Sequence, residues 1–146
     1  MVAKWPICCN IQGNYSYIKW IVWIMKEFDA LLAIAQRKAN FDQGGSWSNG
    51  SETYLAEIKN EVDEVIEEIP KSRPCYLEDE LGDILWDYLN ILTALEKEVG
   101  VDTKAVLARA CRKYEERISG IESGQKWSDV KEKQKIALAK EHSANS

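Results

Sequence analysis

The chain has 146 residues, 45% of them hydrophobic, which is enough for one soluble domain with a real core. Its 19 basic and 24 acidic residues leave a formal net charge of -5, which argues against duplex nucleic acid as a partner, because a phosphate backbone needs a basic face. The longest strongly apolar run, Ile18 to Met25, is broken by Lys19 and is too short to span a bilayer, so no membrane partner is expected.

Residues 1–24 make a poor signal peptide, with no small-residue cleavage site. Two readings of them stand open. They are extra sequence ahead of a natural start at Met25, or an arm that packs on the bundle or on a partner subunit. From Met25 a cleaner amphipathic pattern begins. Phe28, Leu31, Leu32, Ala35 and Ala39 repeat at three and four, which predicts a helix over 25–40. The following FDQGGSWSNGS is rich in Gly, Ser and Asn and reads as a loop.

Ser51 or Thr53 is placed to cap a second helix, over 54–69, with Ile58, Val62, Val65 and Ile69 as its apolar stripe. Pro70 ends it, and PKSRPCY is a connection. A third helix is expected from Leu77 to Val99, burying Ile84, Leu85, Tyr88, Leu89, Leu92 and Leu95, with Gly100 as its stop. Asp102 is placed to cap a fourth, whose buried face holds Leu107, Ala110, Cys111, Tyr114 and Ile118. Gly120 and Gly124 break that pattern. A charged, helix-prone stretch runs from Trp127 to about Lys140, and residues 141–146 form a flexible tail. No strand-like alternation competes. The expected fold is all-α, a four-helix-bundle-like core within a single helical domain at 25–140.

The informative residues are acidic. Glu61 and Glu64 form E-x-x-E in NEVDEVIEEI, and Glu80 and Asp83 form E-x-x-D in EDELGDILW. Side chains three apart share a helix face, so each pair presents two carboxylates together. Two such helices side by side would bring four anions to one spot, which calls for a cation. The stripes extend further: Glu57, Glu61, Glu64 and Glu68 on one helix, Glu80, Asp83, Asp87 and Asn90 on the next. Solvated faces of amphipathic helices are the competing reading, but an ordinary face mixes charge signs.

Chemistry narrows the cation. The cysteines are Cys8, Cys9, Cys75 and Cys111, without a C-x-x-C, and the single histidine is His142 in the tail. Zinc and di-iron carboxylate sites, which need histidine or thiolate clusters, therefore do not fit. The thiols read as free groups in a reducing cytoplasm, the expected compartment. No D-x-D-x-D-G calcium loop occurs. An all-oxygen site remains, suited to Mg²⁺ or, as a substitute, Mn²⁺. Arg109, Lys113 and Arg117 recur every fourth residue on the fourth helix. They make either a surface stripe or the cationic half of a polyphosphate site.

The order E61-x-x-E64, then E80-L-G-D83, resembles the signature of the MazG-like all-α nucleoside triphosphate pyrophosphohydrolases. The likeness reaches from about 28 to 135. Ser46–Trp47 resembles a loop Trp before the first acidic helix, RKYEER at 112–117 resembles the family's basic segment, and Trp127-x-x-x-Lys131 its C-terminal motif. Three features depart from the pattern. Asn60 stands where many members have a second Glu, Gly45–Ser48 replaces the usual Cys-Pro-Trp-Asp, and the histidines after the basic segment are missing.

The resemblance implies Mg²⁺-dependent hydrolysis of a nucleoside triphosphate, deoxy or non-canonical, to monophosphate and pyrophosphate, a nucleotide-pool housecleaning role. It implies metal ligation by Glu61, Glu64, Glu80 and Asp83. Glu57 would accept a proton from water or hold a further ion. Lys113 and Arg117 would bind the pyrophosphate, Trp47 the base, and Asn90 sugar or base, or Asn90 would support Asp83. It also implies a homodimer or dimer of dimers with sites completed across subunits. Two alternatives are kept. One is a non-catalytic helical binding module. The other is a hydrolase of another pyrophosphate linkage, such as phosphoribosyl-ATP.

Overall fold

The computed structural model describes residues 15–42 and 48–144, which form five α-helices and no strand. The predicted all-α class is what the chain adopts. Residues 1–14, Trp47 and the last two residues of the tail lie outside the described residues. No helix among the described residues is long and apolar enough to cross a membrane. The chain divides into two compact units, Met1–Ile91 and Leu92–Ser146.

In the first unit, α1 spans Tyr15–Asp42. It starts ten residues before the predicted boundary at Met25. Nothing between Tyr15 and Met25 is Gly or Pro, so no breaker opposes continuation of the helix. Val22, Trp23, Ile24 and Met25 lie exposed on it. Helix α2, Ser51–Glu68, is tied to α1 by Tyr54, whose hydroxyl donates to Asp42 Oδ2 at 2.6 Å.

The predicted cap of α2 is corrected. Gly50, at φ 74°, occupies the cap position, and Ser51 is already helical. Thr53 serves instead as an acceptor for the backbone N–H of Asn49, at 2.9 Å. A short 3-10 turn, Ile69–Lys71, follows α2, consistent with Pro70 as terminator.

Glu68 also departs from its expected place on the acidic stripe. Its carboxylate is buried and accepts from Arg73 Nε and Nη2 at 2.7 and 2.6 Å, with Lys71 Nζ at 3.2 Å. The hydrogen bonds from Arg73 hold it well down, at about 2. Its ionised form thus supports the fold above its ordinary 4.5, and that support is lost as pH falls towards about 2. Glu68 is a structural clasp between α2 and the start of α3.

Helix α3 runs Pro74–Val99. It begins three residues earlier than predicted because Pro74 sits at the first helical position, where a missing N–H costs nothing. Its centre is the best-buried part of the molecule: Leu89 and Asn90 are almost wholly enclosed. Burying a leucine of this kind contributes about 1.5–3 kcal/mol.

The second unit opens on the last turns of α3, where Leu92, Thr93 and Ala94 are buried. Gly100, at φ 72°, ends that helix as predicted, and Val101 N–H closes the turn onto Leu95 C=O at 3.3 Å. Asp102 caps α4, Thr103–Glu122, by accepting from Lys104 N–H at 2.9 Å. Helix α5 spans Trp127–Ala144 and packs on α4.

Gly120 does not break α4, contrary to the expectation; it is the close-approach point of the α4–α5 pair. A Cβ there would lie 2.7 Å from Val130 Cγ2, and Val130 is itself buried. The turn itself comes at Gly124, φ 84°, with Gln125 N–H bonded to Gly120 C=O at 2.9 Å.

Several residues expected in the core are exposed. Val62, Leu85, Tyr88, Tyr114 and Ile118 each keep more than a third of their surface, and Cys111 is exposed too. Hydrophobic periodicity shows that a face is apolar, but not that this chain covers it.

The α4–α5 contact yields a prediction. Gly120→Ala adds about 1 kcal/mol of helix propensity but forces Val130 aside, an overpacking cost of about 1–3 kcal/mol. The variant should be less stable than wild type in chemical denaturation, and Gly120→Ala combined with Val130→Ala should recover part of the loss.

Candidate metal centre

Helices α2 and α3 present their acids towards one another inside the first unit. Glu61 and Glu64 lie one turn apart on α2, and Glu80 sits near the start of α3. One carboxylate oxygen from each comes within 4.8 Å of the others. Glu61 and Glu80 are half-buried and Glu64 is exposed. Asp83, the fourth member of the predicted set, is exposed and stands outside the converging trio. Its charge nevertheless reaches Glu61, Glu80 and Asp87.

The electrostatics of the cluster are those of uncompensated anions. Burial pushes the Glu61 carboxyl up, and Glu64, Asp83, Asp87 and Glu80 push it further. Glu80 is raised by burial, then by Glu64, then by Asp83 and Asp79. In neither case does a basic side chain lower the value. Such a group is relieved by protonation or by a cation. A donor set made only of carboxylate oxygens, converging on one point and strained by its own charge, fits a divalent metal ion.

Asp87, one turn after Asp83, carried no assigned role in the sequence reading although it lay on the stripe. It is 5% exposed, and its Oδ2 has no hydrogen-bond partner among the described residues. Burial, then Glu57, then Asp83 push its carboxyl up to about 6. The available signal was the spacing: an acid on the polar stripe beside Leu89, deep in an apolar run, has to be buried.

Asn90 is 1% exposed, and its Nδ2 donates to Trp86 C=O, one turn back, at 2.9 Å. Part of its amide thus serves the helix itself.

The second unit carries a separate basic face. A groove of about 850 Å³ between α4 and α5 is lined by Arg109, Arg112, Lys113, Lys131 and Lys135 among others. Arg117 forms its floor. It is buried, stacks over the Trp127 ring at 4.9 Å and over Tyr114 at 5.3 Å, and donates from Nε to Gln134 Oε1 at 2.8 Å. Arg109 is taken up by Glu141, in a bidentate pair at 3.0 and 2.6 Å. The predicted row of three cations is therefore unequal. Arg109 is paired, Arg117 is buried against an aromatic, and Lys113 lies alongside Tyr114, 5.1 Å from its ring.

The raised acids set a pH dependence for the metal-free protein. A carboxyl raised in the fold supports stability below its ordinary value and withdraws that support as pH climbs through the folded value. Metal-free wild type should therefore lose stability as pH rises from about 4.5, the ordinary glutamate value, towards neutrality. Glu61→Gln should melt a few degrees higher than wild type at neutral pH without metal, with a shallower pH slope. Thermal melts in chelator across that range check both.

Residues 49–120 match the sequence model of one family, described as the MazG nucleotide pyrophosphohydrolase domain. No curated protein and no solved structure matches the chain. The matched segment contains Glu61, Glu64 and Glu80, the carboxylates that converge in the fold, so the part of the chain that carries the cluster is the part that is similar to a MazG nucleotide pyrophosphohydrolase domain.

Proposed function

We propose that the protein hydrolyses nucleoside triphosphates, deoxy or non-canonical, to the monophosphate and pyrophosphate in a Mg²⁺-dependent reaction that clears the nucleotide pool. The observation that carries this reading is the convergence of Glu61, Glu64 and Glu80 within a MazG domain.

Glu61, Glu64 and Glu80 would hold the ion, with Asp83 turning in from the exposed side as a fourth oxygen ligand. When bound, Mg²⁺, or Mn²⁺ in its place, offsets the charge of the triphosphate and lowers the pKa of a water molecule. Glu57, one turn before Glu61, would take that water's proton or hold a further ion. Lys113 and Arg117 would hold the departing pyrophosphate. The stacking of Arg117 on Trp127 supports this, because it fixes the guanidinium's plane before any phosphate arrives. Asn90 would bind sugar or base, or support Asp83, and Trp47 would stack on the base.

The exposed apolar residues support an oligomer. Leu55, Val62 and Ile66 on α2, Ile69 in the turn after it, and Leu81, Leu85 and Tyr88 on α3 are large and open. Apolar surface of this extent is ordinarily covered by another subunit. A homodimer, or a dimer of dimers, would cover it with a second copy of the chain.

The test is pyrophosphate release from a panel of canonical, deoxy and modified nucleoside triphosphates, with Mg²⁺ and then with chelator. The expected result is release that requires metal, that favours some members of the panel and that falls at least about a hundredfold in Glu61→Gln, as for loss of one strong transition-state contact. Release from no nucleotide under any condition would support a non-catalytic module. Activity confined to phosphoribosyl-ATP would move the substrate to another pyrophosphate linkage.

A further inference from the structure

Arg109 and Arg117 stand on one row of α4 and are used in opposite ways. Arg109 gives Nη1 and Nη2 to the two carboxylate oxygens of Glu141, so its fork is taken up inside the protein. Arg117 gives only Nε, and gives it to a neutral amide, Gln134 Oε1, at 2.8 Å. Among the described residues its Nη1 and Nη2 enter no hydrogen bond or ion pair. Arg117 is nevertheless only 8% exposed, and it lines the groove between α4 and α5. A buried guanidinium with an unused fork needs an acceptor.

Gln134, on α5, is fully committed. Its Nε2 gives hydrogens to Lys113 C=O at 2.9 Å and to Glu116 Oε2 at 2.7 Å, while Oε1 accepts from Arg117. These partners fix the amide's orientation. Turned over, its NH₂ would face the Arg117 N–H, and its oxygen would face a carbonyl and a carboxylate. The amide thus stands between the Glu116 carboxylate and the Arg117 guanidinium and bonds both without neutralising either. The rings of Trp127 and Tyr114, at 4.9 and 5.3 Å, hold the plane of the guanidinium. A planar group held by its faces can still turn within that plane, and the bond to Nε stops the turn.

We propose that Gln134 is a positioning residue for anion binding. It engages Nε of Arg117 and holds the Glu116 carboxylate aside, so that Nη1 and Nη2 are presented, charged and end-on, to two oxygens of one phosphate. The ligand class is a phosphate chain, pyrophosphate or the triphosphate that yields it, because the fork matches paired phosphate oxygens. This role rests on the reading of Lys113 and Arg117 as phosphate ligands.

The experiment measures pyrophosphate binding to the full-length chain by calorimetry, at neutral pH in chelator, and follows the Arg117 Nε–H proton by magnetic resonance in the same samples. Gln134→Met keeps the length of the side chain and removes its amide. Arg117→Lys keeps the charge and removes the fork. Wild type should show an Arg117 Nε–H protected from solvent exchange. Gln134→Met should lose that protection and bind pyrophosphate at least about tenfold more weakly, as for loss of one hydrogen bond to a charged group. Arg117→Lys should lose a similar factor, and the double variant no more than about twofold beyond either, because both act through one fork. Gln134→Asn, which keeps the amide but withdraws it by one methylene, should weaken binding less than Gln134→Met, and circular dichroism at the binding temperature checks that each variant is folded. Wild-type affinity in both Gln134 variants would overturn the proposal, as would an Nε–H still protected in Gln134→Met. Losses that multiply in the double variant would overturn it too, since they would mark a separate structural role. Protection lost as expected, but no pyrophosphate bound by wild type, would instead bring down the phosphate reading of Lys113 and Arg117.

Discussion

Repulsion between carboxylates on α2 and α3 is the constraint around which the first unit is organised. Packing two helices needs apolar side chains on their facing sides. Here the same approach brings Glu61, Glu64 and Glu80 within 4.8 Å, half-buries two of them and buries Asp87 fully. At neutral pH the raised carboxyls, Glu61, Glu80 and Asp87, lower stability in the metal-free fold. A fold maintained for stability alone would replace them with neutral side chains. The acids are retained at a cost, and the cost falls where a divalent ion would remove it. That is the physical link between the MazG domain and metal chemistry.

The surrounding structure holds this strained face in place by ordinary means. Tyr54 joins α2 to α1 through Asp42, and Glu68 clasps Arg73 and Lys71 where α2 gives way to α3. These contacts sit to either side of the acidic face along α2. The clasp shows how differently two glutamates on one stripe can behave. Glu61 is raised among anions, whereas Glu68, seven residues on, is held down at about 2 by an arginine. In the second unit the same logic appears with the opposite sign. Arg117 is buried, yet its charge is met by the faces of Trp127 and Tyr114 and by Gln134 rather than by a carboxylate. Among the described residues no carboxylate forms an ion pair with it.

Much of this was legible in the sequence, and the exceptions have definite causes. The all-α class followed from apolar residues repeating at three and four, and the acid pairs followed from the same geometry. Asp102 and Gly100 announced their turns because their chemistry suits only those positions. The start of α1 was missed because aromatic and β-branched residues from Tyr15 to Met25 weaken helix propensity without forbidding it. Ser51 was misplaced as a cap because a glycine at positive φ took the position. Glu68 could not be separated from the metal stripe, since its partner Arg73 comes from beyond a proline turn. Gly120 looked like a breaker, but its missing side chain serves the approach of Val130 from α5. Val62, Leu85 and Ile118 were read as core because periodicity records which face is apolar, whatever covers it.

The central claim is that the cluster on α2 and α3 is completed by a divalent ion rather than by screening. The direct measurement is the thermal midpoint of the wild-type chain at neutral pH, titrated with MgCl₂ and, separately, with NaCl at matched ionic strength. Specific binding predicts a saturable rise with MgCl₂, equivalent to about 2.7 kcal/mol at a hundred times the dissociation constant, and a much smaller drift with NaCl. Coincident curves at equal ionic strength would contradict the account, because they would mean that the carboxylates need only diffuse counterions.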